Sequence, residues 1–92
     1  MYNVAVCDDT EEERLQAAEY AGRFFEREGI EVRIDTYAAG RELLESGREY
    51  DLYLLDVLMP GMSGIDTAQA LAEDKDHPVV VFITSSDRKS TR

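Results

Sequence analysis

The stretch from Tyr50 to Gly64, YDLYLLDVLMPGMSG, restricts the fold more than any other part of the chain. Its apolar run, Leu52 to Leu55, stops abruptly at Asp56, and a Met-Pro-Gly turn follows at Met59, Pro60 and Gly61. The run is too short for a buried helix, and its Leu and Tyr content suits a strand covered on both faces, as in parallel α/β sheets. Asp56 then closes the strand at its carboxyl end, where open α/β sheets place their ligands. Asp is disfavoured in strands and costly to bury alone. Either it caps its own loop amides or it serves chemistry, and the rest of the chain has to decide.

The 92 residues suffice for one domain, and a chain of this size buries only ~60 to 65% of the surface its unfolded form exposes. A net charge of −10 argues against nucleic-acid binding, which needs clustered Lys and Arg on phosphates. It favours cations and basic partners instead. The longest apolar run, Val79 to Ile83, falls far short of the ~20 residues of a membrane span. With no signal-peptide pattern at the amino terminus, a soluble cytoplasmic protein is expected. The single cysteine, Cys7, leaves no internal disulfide and no cysteine-based metal site. It reads as a small buried apolar residue.

Taken in order, Tyr2 to Cys7 is a β-prone segment that ends in the acidic pair Asp8 and Asp9. Thr10 with Glu13 fits a capping box, and Glu11, Glu12 and Glu13 suit the first turn of a helix running to about Glu28, with Gly29 as its stop. Leu15, Ala18, Gly22 and Phe25 recur at helical spacing, and Tyr20, Phe24 and Phe25 are expected in the core. Glu31 to Tyr37 alternates polar and apolar residues like an edge strand. A short helix from Ala38 to Ser46 should bury Leu43 and Leu44 and close at Gly47. After the Pro-Gly turn, Ser63 and Asp66 offer a second cap for a helix with Ile65, Ala68, Leu71 and Ala72 on its apolar face. His77 is an ordinary loop residue, and Val79 to Ile83 reads as a fourth, buried strand, closed by Thr84 and Ser85.

The order β-α-β-α-β-α-β predicts a parallel sheet with right-handed crossovers. Three strand ends then bring polar groups to one edge: Asp8 with Asp9, Asp56, and Thr84 with Ser85. Carboxylates gathered this closely repel, and a bound divalent cation removes the penalty. Oxygen ligation without His or Cys suits Mg²⁺, often completed by a phosphate oxygen. A carboxylate beside such a metal can attack a phosphoryl group and form an acyl phosphate. No dinucleotide fingerprint and no Walker loop is present, so a nucleotide is not the obvious ligand.

Three segments resemble the receiver domain of two-component response regulators: the acidic pair after the first strand, LLDVLMPGMSG, and VVVFITSS. The resemblance covers roughly Asn3 to Ser86, and the last two segments are most similar to receivers attached to LytTR-type DNA-binding domains. It implies a flavodoxin-like, doubly wound α/β fold with strand order 2-1-3-4, in which a sensor histidine kinase phosphorylates an aspartate. Asp56 matches the phosphoacceptor. Asp9 matches the direct Mg²⁺ ligand, Asp8 a partner acting through water, and the Leu58 backbone carbonyl a further ligand. Thr84 matches the hydroxyl that holds the phosphoryl group, and Ser85 the small residue beside it. The apolar side chain of Leu58 implies slow loss of the phosphoryl group.

The sequence departs from the family after Thr84. The final helix-strand-helix has no counterpart, so residues 1–86 read as a partial receiver and 87–92 as a tail. No residue stands in for the family's catalytic lysine: Lys75 precedes the fourth strand, roughly 20 Å from the acidic edge, and nothing in the sequence fixes Lys89 there. An uncovered fourth strand is expected to pair with a second copy of the chain. The alternative function is therefore a binding or dimerisation module without phosphoryl chemistry. A phosphatase of the haloacid dehalogenase type needs a second Asp where Leu58 stands. Phosphorylation of Asp56 would be self-directed, and turnover of a substrate is not expected.

Overall fold

Tyr2–Cys7 (β1), Val32–Tyr37 (β2), Leu52–Asp56 (β3) and Val80–Ile83 (β4) form one sheet in the computed structural model, which describes residues 1–83. All pairings are parallel, and the order is β2-β1-β3-β4. Glu11–Arg27 (α1), Gly40–Glu45 (α2) and Gly64–Asp74 (α3) alternate with the strands. This is the expected doubly wound architecture with the expected order.

β1 lies at the centre because it is apolar on both faces. Val4 and Val6 point to one side and pack with Phe25 of α1, with Ala18, Ile34 and Leu54 around them. Ala5 and Cys7 point to the other side, into a cluster with Leu43 of α2, Leu71 of α3, Tyr53, Leu55 and Met59. The sheet is thus coated on both faces, and β2 occupies an edge as its alternation predicts. The polar face of β2 is partly covered, however, although Arg33 stays exposed. Tyr50 donates its hydroxyl to Asp35 Oδ2 (2.8 Å) and hydrogen-bonds Tyr37, closing the loop before β3 over that strand.

α1 begins after Thr10, but the Thr10 side chain makes no capping hydrogen bond, so the expected capping box is not formed. The Thr10 amide is instead held by Asp8 Oδ1 at 3.0 Å. At the other end the amides of Gly29 and Ile30 bond the carbonyls of Glu26 and Phe25 (3.0 and 2.9 Å), closing the helix as expected. The apolar face of α1 differs from expectation. Phe25 is buried, whereas Leu15 is exposed, and Tyr20 and Phe24 are 59% and 53% exposed. These two rings flank a groove of about 480 Å³ beside Leu52, Leu54 and Ile83 instead of filling a core.

α3 shows the expected capping box between Ser63 and Asp66. Leu71 is buried and Ala68 packs against the core as expected, but Ile65 and Ala72 are exposed, and Gly64 and Thr67 take the inward positions instead. Thr67 can be buried because its hydroxyl donates to the Ser63 carbonyl at 2.8 Å. Between β3 and α3 the chain turns through Pro60 and Gly61, where Gly61 takes φ +76°, a region open to Gly at little cost. β4 is half exposed rather than buried, with Val81 and Phe82 open to solvent.

Candidate functional site

Chain order and sheet order diverge between β1 and β3: β1 leads to β2 on one side, and the next strand, β3, returns to the other side of β1. Ligands of open α/β sheets bind outside the carboxyl ends of the strands at such a switch point. Asp8 and Asp9 follow β1 directly, and Asp56 is the last residue of β3. One carboxylate oxygen from each lies within 4.8 Å of the others. The structure thus brings together the three acidic residues singled out from the sequence.

Their settings differ. Asp56 is fully buried and Asp8 is 3% exposed, while Asp9 is half-buried. Asp8 continues the sheet, its amide donating to the Tyr37 carbonyl at 3.1 Å. Burial pushes the Asp8 carboxyl above the ordinary range, the Thr10 amide opposes this, and the charges of Asp56, Glu13 and Asp9 add to it. Cys7 is close by but chemically quiet. Its thiol contacts Met59 Sδ at 3.8 Å, and burial with the neighbouring charges of Asp8, Glu42 and Asp56 pushes it up to about 12.

A buried all-oxygen cluster of this kind fits a hard divalent cation that keeps several waters. It offers no His and no thiolate to a softer metal. Leu58 lies two residues beyond β3 and is exposed. Thr84, Ser85 and Lys89 lie outside the described residues. Lys75 sits at the opposite end of the sheet, beside Tyr50 and Val79, and pairs with Asp74 at 3.5 Å.

Two residues near the site were not singled out from the sequence. Gly64 opens α3 directly beneath the site: a Cβ there would lie 2.2 Å from the Asp56 carbonyl oxygen. Its sequence signal is a glycine at the first helical position, just after the Ser63 cap. Arg14 donates from Nη1 to the Asp8 carbonyl at 3.0 Å. Its signal is a cation early in a helix, against the dipole.

A family model for the response regulator receiver domain matches residues 4–92. The chain belongs to the response regulator receiver family. Among curated proteins, the positive alginate biosynthesis regulatory protein of Pseudomonas aeruginosa is 32% identical over 87 residues, 92% of this chain and 34% of that protein. The receiver chain therefore spans about a third of that relative. Response regulator TrrA of Thermotoga maritima, solved in complex with Mg²⁺-BeF, shares the fold at TM-score 0.71 and 30% identity, over 98% of this chain and 76% of that one. TrrA solved with the histidine kinase ThkA gives TM-score 0.67 and 29% identity, over 92% of this chain and 70% of that one. No helix among the described residues of the receiver is long and apolar enough to cross a membrane.

Proposed function

We propose that this receiver accepts a phosphoryl group from a sensor histidine kinase onto Asp56, in the cytoplasm and with Mg²⁺. The observation that carries the reading is the meeting of Asp8, Asp9 and Asp56 at the switch point of the sheet, with Asp56 buried. TrrA, which shares the fold, is a receiver known with Mg²⁺-BeF and with a histidine kinase. Asp9, Asp56 and the Leu58 carbonyl would hold the metal, with Asp8 acting through water. When bound, Mg²⁺ supplies positive charge that offsets the developing charge on the transferring oxygens. An Asp56 oxygen forms the new O–P bond as the donor's P–N bond breaks, and the leaving nitrogen takes a proton from solvent. The Thr84 hydroxyl is assigned to the phosphoryl oxygens and Ser85 to the small residue beside it; supporting this, Ile83, which precedes them in the sequence, pairs with Asp56.

Intact-mass analysis after incubation with phosphoramidate, with and without Mg²⁺ and beside Asp56→Asn, tests this. The expected result is one added phosphoryl group that requires both Mg²⁺ and Asp56. A folded chain that gains none would overturn the reading.

A second reading rests on β4. Among the described residues no strand lies on its outer edge, and Val79, Val81 and Phe82 are exposed along an uncharged run. Such an edge pairs readily with another of its kind, and the reading is self-association through β4. Light scattering over a concentration series should show a dimer that Val81→Lys returns to monomer. A wild-type monomer at every concentration would count against it.

A further inference from the structure

We infer that Arg14 is a positioning residue for the metal-binding loop, holding the β1–α1 turn through the Asp8 carbonyl. This rests on the metal reading above. Arg14 stands fourth in α1, after Glu11, Glu12 and Glu13. Near a helix N-terminus the dipole favours anions and disfavours a cation, by ~0.3 to 1 kcal/mol. The three glutamates obey that rule and Arg14 does not. What it gains is visible in its geometry: helical side chains lean toward the N-terminus, and the guanidinium reaches back past Thr10 to the Asp8 carbonyl at 3.0 Å.

That bond completes a set around one residue. The Asp8 amide is held by the Tyr37 carbonyl (3.1 Å), its Oδ1 by the Thr10 amide (3.0 Å), and its carbonyl by Arg14. On the other side of Asp9, the Thr10 carbonyl accepts the Arg14 amide at 2.8 Å. Asp9 is therefore bracketed by two residues whose backbones are both tied to Arg14. A carbonyl in a three-residue turn could rotate toward water and carry the carboxylates with it, and the guanidinium opposes that rotation.

The choice of target also matters. Arg14 is permanently charged, and a guanidinium aimed at the carboxylates would compete with a bound cation. Donating to a carbonyl instead, it adds positive charge near three acidic groups while leaving their ligand oxygens to the metal. Lys would keep the charge but only one compact donor head in place of the planar fork.

The test is a Mg²⁺ titration of the whole chain followed by amide shifts of Asp8, Asp9 and Thr10, on wild type, Arg14→Ala, Arg14→Lys and a control, Arg23→Ala. The control removes an exposed ion pair with Glu19 on the same helix. Arg14→Ala is expected to weaken Mg²⁺ binding about tenfold, as loss of an outer-shell partner does, and Arg14→Lys to recover most of that loss. In the metal-free chain the Thr10 amide should exchange faster in Arg14→Ala than in the control, with similar melting temperatures in the two. Wild-type affinity in Arg14→Ala would overturn the inference while leaving the metal reading standing. Equal losses in Arg14→Ala and Arg23→Ala would overturn it too, because a general weakening of α1 would then suffice. Failure of wild type itself to bind Mg²⁺ would overturn both. Should Arg14→Ala not fold, Arg14→Lys with wild-type affinity and wild-type Thr10 exchange supports the inference, and with tenfold weaker binding overturns it.

Discussion

Gly64→Ala is expected to destabilise the chain by about 2 to 4 kcal/mol, in the range of severe overpacking, and to lower its melting temperature by roughly 10 to 20 °C. The added methyl would lie 2.2 Å from the Asp56 carbonyl oxygen, 2.9 Å from its carbon and 3.1 Å from the Val57 Cα. All three are backbone atoms, so no side chain can turn aside to make room. α3 would have to lift off the end of β3, stretching the Gly64 amide bond to the Val57 carbonyl (3.0 Å) and partly uncovering Thr67 and Leu71. The same movement would disturb the strand end that carries Asp56, so Mg²⁺ affinity should fall along with stability. Gly61→Ala is the comparison. Nothing lies within 4 Å of a Cβ there, and only the positive φ opposes the change, at a cost of about 1 kcal/mol. Urea unfolding of both variants checks the ranking, and a Gly64→Ala loss no larger than that of Gly61→Ala would show that α3 can slide without cost.

Such a contact is illegible in the sequence, and the reason bears on what else was missed. Apolar periodicity reports which residues avoid water, and it placed β1, β3 and the two-sided core correctly. It does not report how closely two elements approach. Of the four residues that periodicity puts on the inward face of α3, Leu71 and Ala68 do pack on the core, but Ile65 and Ala72 do not, because the helix is rotated so that Gly64 meets the end of β3 and Thr67 follows it into the core. Likewise, periodicity in α1 assumes a neighbour for every apolar side chain. Phe25 finds β1, whereas Tyr20 and Phe24 face a groove that the described residues leave open.

Acidic pairing was more legible than capping. Asp8, Asp9 and Asp56 converge because strand ends in a parallel sheet share an edge, which topology alone dictates. In the Thr10–Glu13 box the Thr10 side chain makes no capping bond, and the Thr10 amide that Glu13 would accept from is held by Asp8 Oδ1, a neighbour that a four-residue pattern does not contain. The Arg14 bond has even less signature, since its acceptor is a backbone carbonyl present at every position.

Asp8→Asn should reverse the order of stabilities between metal-free and metal-loaded conditions. In the folded chain burial raises the Asp8 carboxyl above its ordinary value, with the charges of Asp56, Glu13 and Asp9 adding to the effect. The folded state therefore binds the proton more tightly than the unfolded state does. The stability that Asp8 contributes is fully present below its unfolded pKa and is lost as pH rises through the folded value. At neutral pH without metal, the wild-type chain folds against this cost, and Asn, which still offers Oδ1 to the Thr10 amide, does not. Asp8→Asn should then melt above wild type in chelator at pH 7. The gap should close as pH falls below the ordinary carboxylate range, where both side chains are neutral. Adding Mg²⁺ inverts the comparison, because a ligand bound only by the folded state stabilises it by ~2.7 kcal/mol at one hundred times its dissociation constant. The Asn variant, binding at least about tenfold more weakly, should receive roughly half of that. Thermal melts at two pH values, with chelator and with Mg²⁺, give all four corners of the comparison. A variant less stable than wild type in chelator at pH 7 would mean that the protein already compensates the Asp8 charge, and the case for a cation as its missing counter-charge would fall.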